Sequence, residues 1–126
     1  MNGAIMKYTA VNFDSKFSKI EGYWQPKGIA RLNNYAFKIA RIKGEFIWHK
    51  HDDTDEVFIV NRGEVIVKLP DGEVKIGEGE MFVVPRGVEH KPVAEDECEI
   101  IMIEPEGTLN TGDKTDERTI DEIEWI

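Results

Sequence analysis

The stretch G-E-F-I-W-H-K-H-D-D-T-D-E-V-F-I-V-N-R-G, residues 44–63, decides the fold of this 126-residue chain. It places His49 and His51, two of the three histidines, one residue apart, sets Glu56 five positions beyond, and runs through an apolar segment that closes at Gly63. Alternate residues of a strand project from the same face, so His49 and His51 present both imidazoles to one cavity. By the same parity Ile47 and Glu45 share the histidine face, whereas Phe46, Trp48 and Lys50 look outward. Imidazole and carboxylate side by side begin a site for a divalent transition ion.

Working outward, the flanking segments carry the same period. Tyr35, Phe37, Ile39 and Arg41 alternate with Ala36, Lys38 and Ala40, the mark of a half-buried strand. Further strands are expected at 45–51, 57–60, 64–69, 74–76, 81–84 and 98–103. Turn residues separate them at Asn33-Asn34, 52–55, Asn61-Arg62-Gly63, Pro70-Asp71-Gly72, 77–80, Pro85-Arg86-Gly87 and an acidic turn at 94–97. Turns at intervals of roughly eight to twelve residues indicate an all-β sandwich or barrel. Ahead of it, Ile5, Lys7, Tyr8 and Val11 alternate weakly as an edge strand. Residues 12–20 read as one short helix, capped by Asn12 or Asp14, with Phe13, Phe17 and Ile20 on one face. After Pro105 the chain loosens, and the spacing of Ile120, Ile123 and Trp125 or Ile126 fits either a short helix or an extended arm.

Composition narrows the function. The formal net charge is −9, and it is uneven: residues 1–50 carry nine basic against three acidic side chains, the remainder seven against twenty-two. Such an acidic second half disfavours nucleic acid and anionic membrane as partners. A single cysteine forms no internal disulfide, and no apolar signal or membrane-spanning run is present, so a reducing, cytoplasmic location is expected.

His90 follows the Pro85-Arg86-Gly87 turn and completes a candidate ligand set of His49, His51, Glu56 and His90. Three neutral imidazoles and one carboxylate leave a divalent ion a net positive charge, able to polarise an oxygen or acidify a water. Asp55 competes with Glu56, because both faces of the 55–60 segment are apolar and spacing alone does not choose between them. Glu45 is the candidate catalytic acid or base by parity with His49. Tyr35, Arg41 and Cys98 are candidates to line the pocket, although a lone cysteine is more often a small buried hydrophobe.

At these residues the sequence resembles the cupin superfamily. His49-Lys50-His51, Glu56 and Gly63 match its first motif, and the seven-residue step to Gly63 selects Glu56 over Asp55. Residues 79–90, from Gly79 through Pro85 and Gly87 to His90, resemble the second motif. Gly44 stands one residue nearer His49 than usual, and Ala94 replaces a common asparagine. The resemblance implies a double-stranded β-helix, or jelly-roll barrel, over residues 30–105. An N-terminal arm and short helix would precede it at 1–29, and a C-terminal extension would follow at 106–126. It also implies four ligands converging on zinc, iron, manganese or nickel, and a homodimer. Trp24, Phe46 and Trp48, read as outward aromatics, are the expected subunit contact. The activity expected is isomerase, dioxygenase or lyase chemistry on a small organic molecule. A non-catalytic metal or small-molecule binding module is the alternative, and a structural barrel with vacant histidines a third reading. A second charged group in the pocket distinguishes the enzyme from the binding module.

Overall fold

Short β-branched and aromatic runs, cut by polar turns, give strands and almost no helix. The computed structural model describes residues 8–126. The expected edge strand through Ile5 and Lys7 lies partly outside the described residues, and residues 8–12 form no strand. Helix α1 (Phe13–Phe17) starts where the Asn12 side chain accepts a 2.8 Å hydrogen bond from the Ser15 amide. Phe17 and Ile20 bury against Ile29, Ile39 and Ile101. Phe13 is 42% exposed, because a five-residue helix has too little surface to turn all three residues inward.

Eight strands follow: β1 (Lys27–Leu32), β2 (Tyr35–Glu45), β3 (Glu56–Arg62), β4 (Val65–Leu69), β5 (Gly72–Ile76), β6 (Met81–Val84), β7 (Lys91–Pro105) and β8 (Glu124–Trp125). Their order is β5-β4-β7-β2-β1-β8, with β3 pairing both β6 and β7. The long β7 organises this arrangement. It runs antiparallel to β2 over nearly its whole length, pairs with β4 at its start and with β3 further on. The result is an all-β sheet topology of jelly-roll type with a short N-terminal helix. No helix among the described residues is long and apolar enough to cross a membrane.

Three expectations are corrected here. The strand expected at 45–51 is not separate: β2 continues to Glu45, with an irregularity between Ile42 and Gly44, and residues 46–51 then leave the regular ladder. Gly44 has φ +83, a conformation open to glycine at little cost, and it turns the chain out of the period-two pattern. Second, the inward face of β2 is Ala36, Lys38, Ala40 and Ile42, not the face that is richer in large apolar residues. Ile39, on the other face, is buried instead beneath α1 and Ile20. Tyr35 and Arg41 therefore lie outside, Tyr35 at 42% exposure and Arg41 bridging Glu97 and the Phe17 carbonyl. Third, the acidic turn expected at 94–97 is no turn but part of β7, which pairs with β2 on both sides of it. The tail, open between a helix and an arm, is extended, since β8 pairs in parallel with β1.

The interior is filled from both sides by Ala40, Ile42, Phe58, Val60, Val65, Val67, Ile76, Val84, Ile100 and Met102. Cys98 belongs to this core, and burial pushes its thiol up to about 12, which makes it a packing residue and no nucleophile.

Candidate metal centre

Phase along β3 settles which carboxylate enters the site. Glu56, Phe58 and Val60 are buried on the inner face, and Asp55 is exposed before the strand begins. The Asp55 side chain instead accepts a 2.9 Å bond from the Arg86 amide and so fixes the turn ahead of His90.

The histidines reach the same point by a different route. His49 and His90 face each other as an isolated antiparallel bridge, with reciprocal amide-to-carbonyl bonds of 3.0 and 2.9 Å. The His51 carbonyl accepts from the Gly87 amide at 2.8 Å. These bonds bring His49, His51, Glu56 and His90 together, all four buried, with one ligand atom from each within 4.8 Å of the others. All four predicted ligands therefore belong to one cluster.

Its chemistry fits a divalent ion. His49 donates Nδ1–H to the Ile47 carbonyl and His90 donates Nδ1–H to the Val88 carbonyl, each at 2.9 Å, because a carbonyl can only accept. Both rings are thus oriented with the Nε2 lone pair free, as metal-binding histidines usually are. The His90 Nε2 then lies 3.3 Å from Glu56 Oε1, a contact that is favourable once a cation, a proton on the ring or a shared metal ion, stands with the carboxylate. His51 Nε2 comes to 3.0 Å from Glu56 Oε2 but off the hydrogen-bonding line, and it is buried with no partner.

Electrostatics point the same way. Burial, helped by neighbouring His90, lowers His49 to about 4, so it stays neutral and able to ligate at neutral pH. Burial alone would also lower His51, but the Glu56 carboxylate outweighs it and raises the ring. Burial would raise Glu56, yet His51 and His90 hold it well below the usual carboxylate range. Imidazoles with a carboxylate suit zinc, iron, manganese or nickel, and such an ion would be held by these four residues.

A cavity of about 40 Å³ adjoins the cluster, enough for a few water-sized atoms. Trp24, Ile42, Phe46, Phe58, Ile100 and Met102 form its apolar wall, and His49, Glu56, Glu104 and Asn110 its polar one. His51 opens on the opposite side to a cleft of about 510 Å³ bounded by 52–54 and 105–109.

Glu104 is the residue that sequence reasoning missed. It is 2% exposed; Lys38 Nζ pairs with its Oε1 at 2.9 Å, and Oε2 has no hydrogen-bond partner. Burial and the Glu56 charge push its carboxyl up to about 8, against the pull of Lys38. A signal was present: one charge stood on the inward parity of each of two adjoining apolar strands, Lys38 between Ala36 and Ala40, Glu104 after Ile100 and Met102.

Glu45 is not brought to the cluster. It lies exposed at the end of β2 in an ion pair with Lys91, and the parity that joined it to His49 ends with the strand. Phe46 is likewise not outward. It is 7% exposed, stacked on Trp24 at 4.8 Å and set edge-on to His49 at 5.4 Å. Of the three aromatics expected at a surface contact, Trp24 is partly buried and Trp48, at 39%, remains exposed.

Comparison with known proteins agrees with this geometry. A cupin-2 domain containing protein from Shewanella frigidimarina is 49% identical in sequence, with a TM-score of 0.75, over 75% of this chain and 93% of that one. Among curated relatives, the uncharacterized protein YdbB of Bacillus subtilis is 33% identical over 64 residues, and a putative dioxygenase of Saccharolobus solfataricus is 31% identical over 58. These matches take in 50% and 46% of this chain, and the chain spans 57% and 15% of the length of the two relatives. The family model described as Cupin domain matches residues 39–104, a span that holds every member of the cluster and Glu104. With its His49–His90 bridge, its inward Glu56 and its jelly-roll strand order, the chain belongs to the cupin family.

Proposed function

We propose that this cupin is a metal-dependent enzyme acting on a small organic molecule, its sheet closing as a double-stranded β-helix around the ion. The observation that carries the reading is Glu104 Oε2, buried without a partner in the cavity that His49 and Glu56 also line. A binding module needs only the cluster and an apolar wall; a second titratable group beside the metal supports proton transfer.

When bound, the ion would supply Lewis acidity or oxygen activation. The chain's own residues do the rest. Phe46, Phe58 and Met102 exclude water and hold an apolar body. Lys38, also bonded to the Thr108 carbonyl at 3.1 Å, fixes the Glu104 carboxyl in place. Burial and the Glu56 charge raise the Glu104 carboxyl in the metal-free protein, and Oε2 is the atom through which it would give a proton to a bound molecule or take it back. The relative described as a putative dioxygenase favours oxygen chemistry with iron over isomerase or lyase chemistry with zinc, manganese or nickel.

The experiment is oxygen uptake by iron(II)-loaded protein over a panel of small phenols and hydroxy acids. Turnover that ends with chelation, and that falls about 100-fold in Glu104→Gln while metal affinity holds, supports the enzyme. Binding of panel members without turnover by any metal form supports the binding module, which the mainly apolar wall favours.

We also infer a homodimer. With Phe46 buried, the outer face of β3 and β6 becomes the candidate contact: Val57, Ile59, Met81 and Val83, with Tyr35 and Ile103, form one apolar groove. A monomeric mass in solution refutes it. The buried lone cysteine suits a reducing cytoplasm.

A further inference from the structure

We propose that the C-terminal turn carrying Gly112 and Asp113 is a working part of the metal centre, positioning the ligand pair His49 and His51 by clamping the residue between them. The inference rests on the metal reading above but concerns residues beyond the 39–104 span that matches the family.

The clamp is a closed ring of two hydrogen bonds. The Lys50 amide donates to Asp113 Oδ1 at 2.9 Å, and the Asp113 amide donates to the Lys50 carbonyl at 2.9 Å. Among the described residues these are the hydrogen bonds that satisfy the Lys50 backbone. Residues 46–51 have left the ladder, so the 87–90 segment holds His49 and His51 on one side only; the clamp supplies the other.

Contact extends to the ligand itself. A Cβ at Gly112 would collide with the Lys50 carbonyl and come within 3.1 Å of His49 Cδ2, so the turn lies directly against the imidazole. Gly112 also has φ +59. Glycine is therefore required both for the turn and for the close approach.

The turn has its own rigid support. Thr111 is fully buried and bonds the Lys114 carbonyl at 2.8 Å and the Thr119 hydroxyl at 2.7 Å. Asn110, whose side chain lines the cavity, accepts from the Ile120 amide and donates to the Arg118 carbonyl. The tail is then tied down by β8 and by the Ile126 amide bonding to the Gly28 carbonyl at 2.9 Å. This chain of bonds carries the tail's order to Lys50.

Groups that orient metal ligands typically cost 10–100-fold in affinity when lost. The test is cobalt(II) alone, by chelator competition and by the visible absorption of the bound ion, on the full chain. Asp113→Asn keeps the Oδ1 acceptor and should bind within about twofold of wild type. Asp113→Ala should lose about tenfold or more and shift the absorption bands, with Asp113→Glu, which keeps the charge but displaces the acceptor, falling between. Melting of the metal-free proteins checks that each variant folds; should Asp113→Ala fail, the Asn and Glu pair decides alone. Equal affinity and identical spectra in the wild type, Asp113→Ala and Asp113→Glu overturn the clamp while leaving the metal site standing. Wild-type protein that binds no cobalt overturns both.

Discussion

Two segments that supply the candidate metal cluster meet at one point and are built in opposite ways. Residues 56–60 sit in the β3 ladder, paired with β6 over 56–59 and with β7 from Ile59 onward. Residues 46–51 follow a bulge, belong to no strand and keep their place through a single bridge to His90 and a few hydrogen bonds. In the first, period two chooses Glu56 over Asp55 and turns Phe58 inward without further help. In the second, parity fails for Glu45 and Phe46, and position has to be imposed from outside. A ligand on a strand is placed by the sheet; a ligand off a strand is placed by whatever packs against it.

The comparison can be broken at its firm side first. Glu56→Gln keeps the volume and deletes the anionic ligand, so divalent affinity should fall by more than the ~100-fold that losing an orienting partner costs, measured by chelator competition. Next come the two phenylalanines. Phe58→Ala, in a strand and edge-on to His90 at 6.1 Å, should cost about 3–5 kcal/mol of stability in denaturant unfolding. Phe46→Ala should cost less, because its partner Trp24 is only partly buried, yet it should weaken metal binding through its contact with His49.

Stability of the metal-free protein should vary with pH on both sides of neutrality. His49 is lowered from 6.5 to about 4, so its contribution is present above pH 6.5 and is lost as pH falls through about 4. Glu104 is raised from 4.5 to about 8, so its contribution is present below pH 4.5 and is lost as pH rises through about 8. Denaturation curves from pH 4 to 9 should therefore show Glu104→Gln gaining on wild type as pH rises. The smallest effect belongs to Glu45→Gln: with the carboxylate exposed at a strand end, melting temperature and metal affinity should stay at wild-type values.

Much of this was legible in the residues. The all-β class and most of the turns follow from short-range patterns that the structure keeps, though the turn expected at 94–97 does not survive, and the four residues of the cluster were legible through the two motifs. Three things were not, each because the cause is non-local. The inward face of β2 is its small one: Ala36 and Ala40 leave room inside, and α1 covers Ile39 outside. Lys38 and Glu104 stand far apart in the sequence, on separate strands, and only antiparallel pairing sets them together. Asp113 lies more than sixty residues from Lys50, and a polar loop gives no sign of which backbone it will meet.

The measurement that tests the central claim most directly is the stoichiometry and first coordination sphere of bound metal, by elemental analysis and X-ray absorption on freshly purified and on reloaded protein. One divalent ion per chain, surrounded by three imidazole nitrogens and carboxylate oxygen and lost in His90→Ala, is the predicted result. Protein that takes up no stoichiometric zinc, iron, manganese or nickel, or that holds an ion unchanged when His90 is removed, would contradict it.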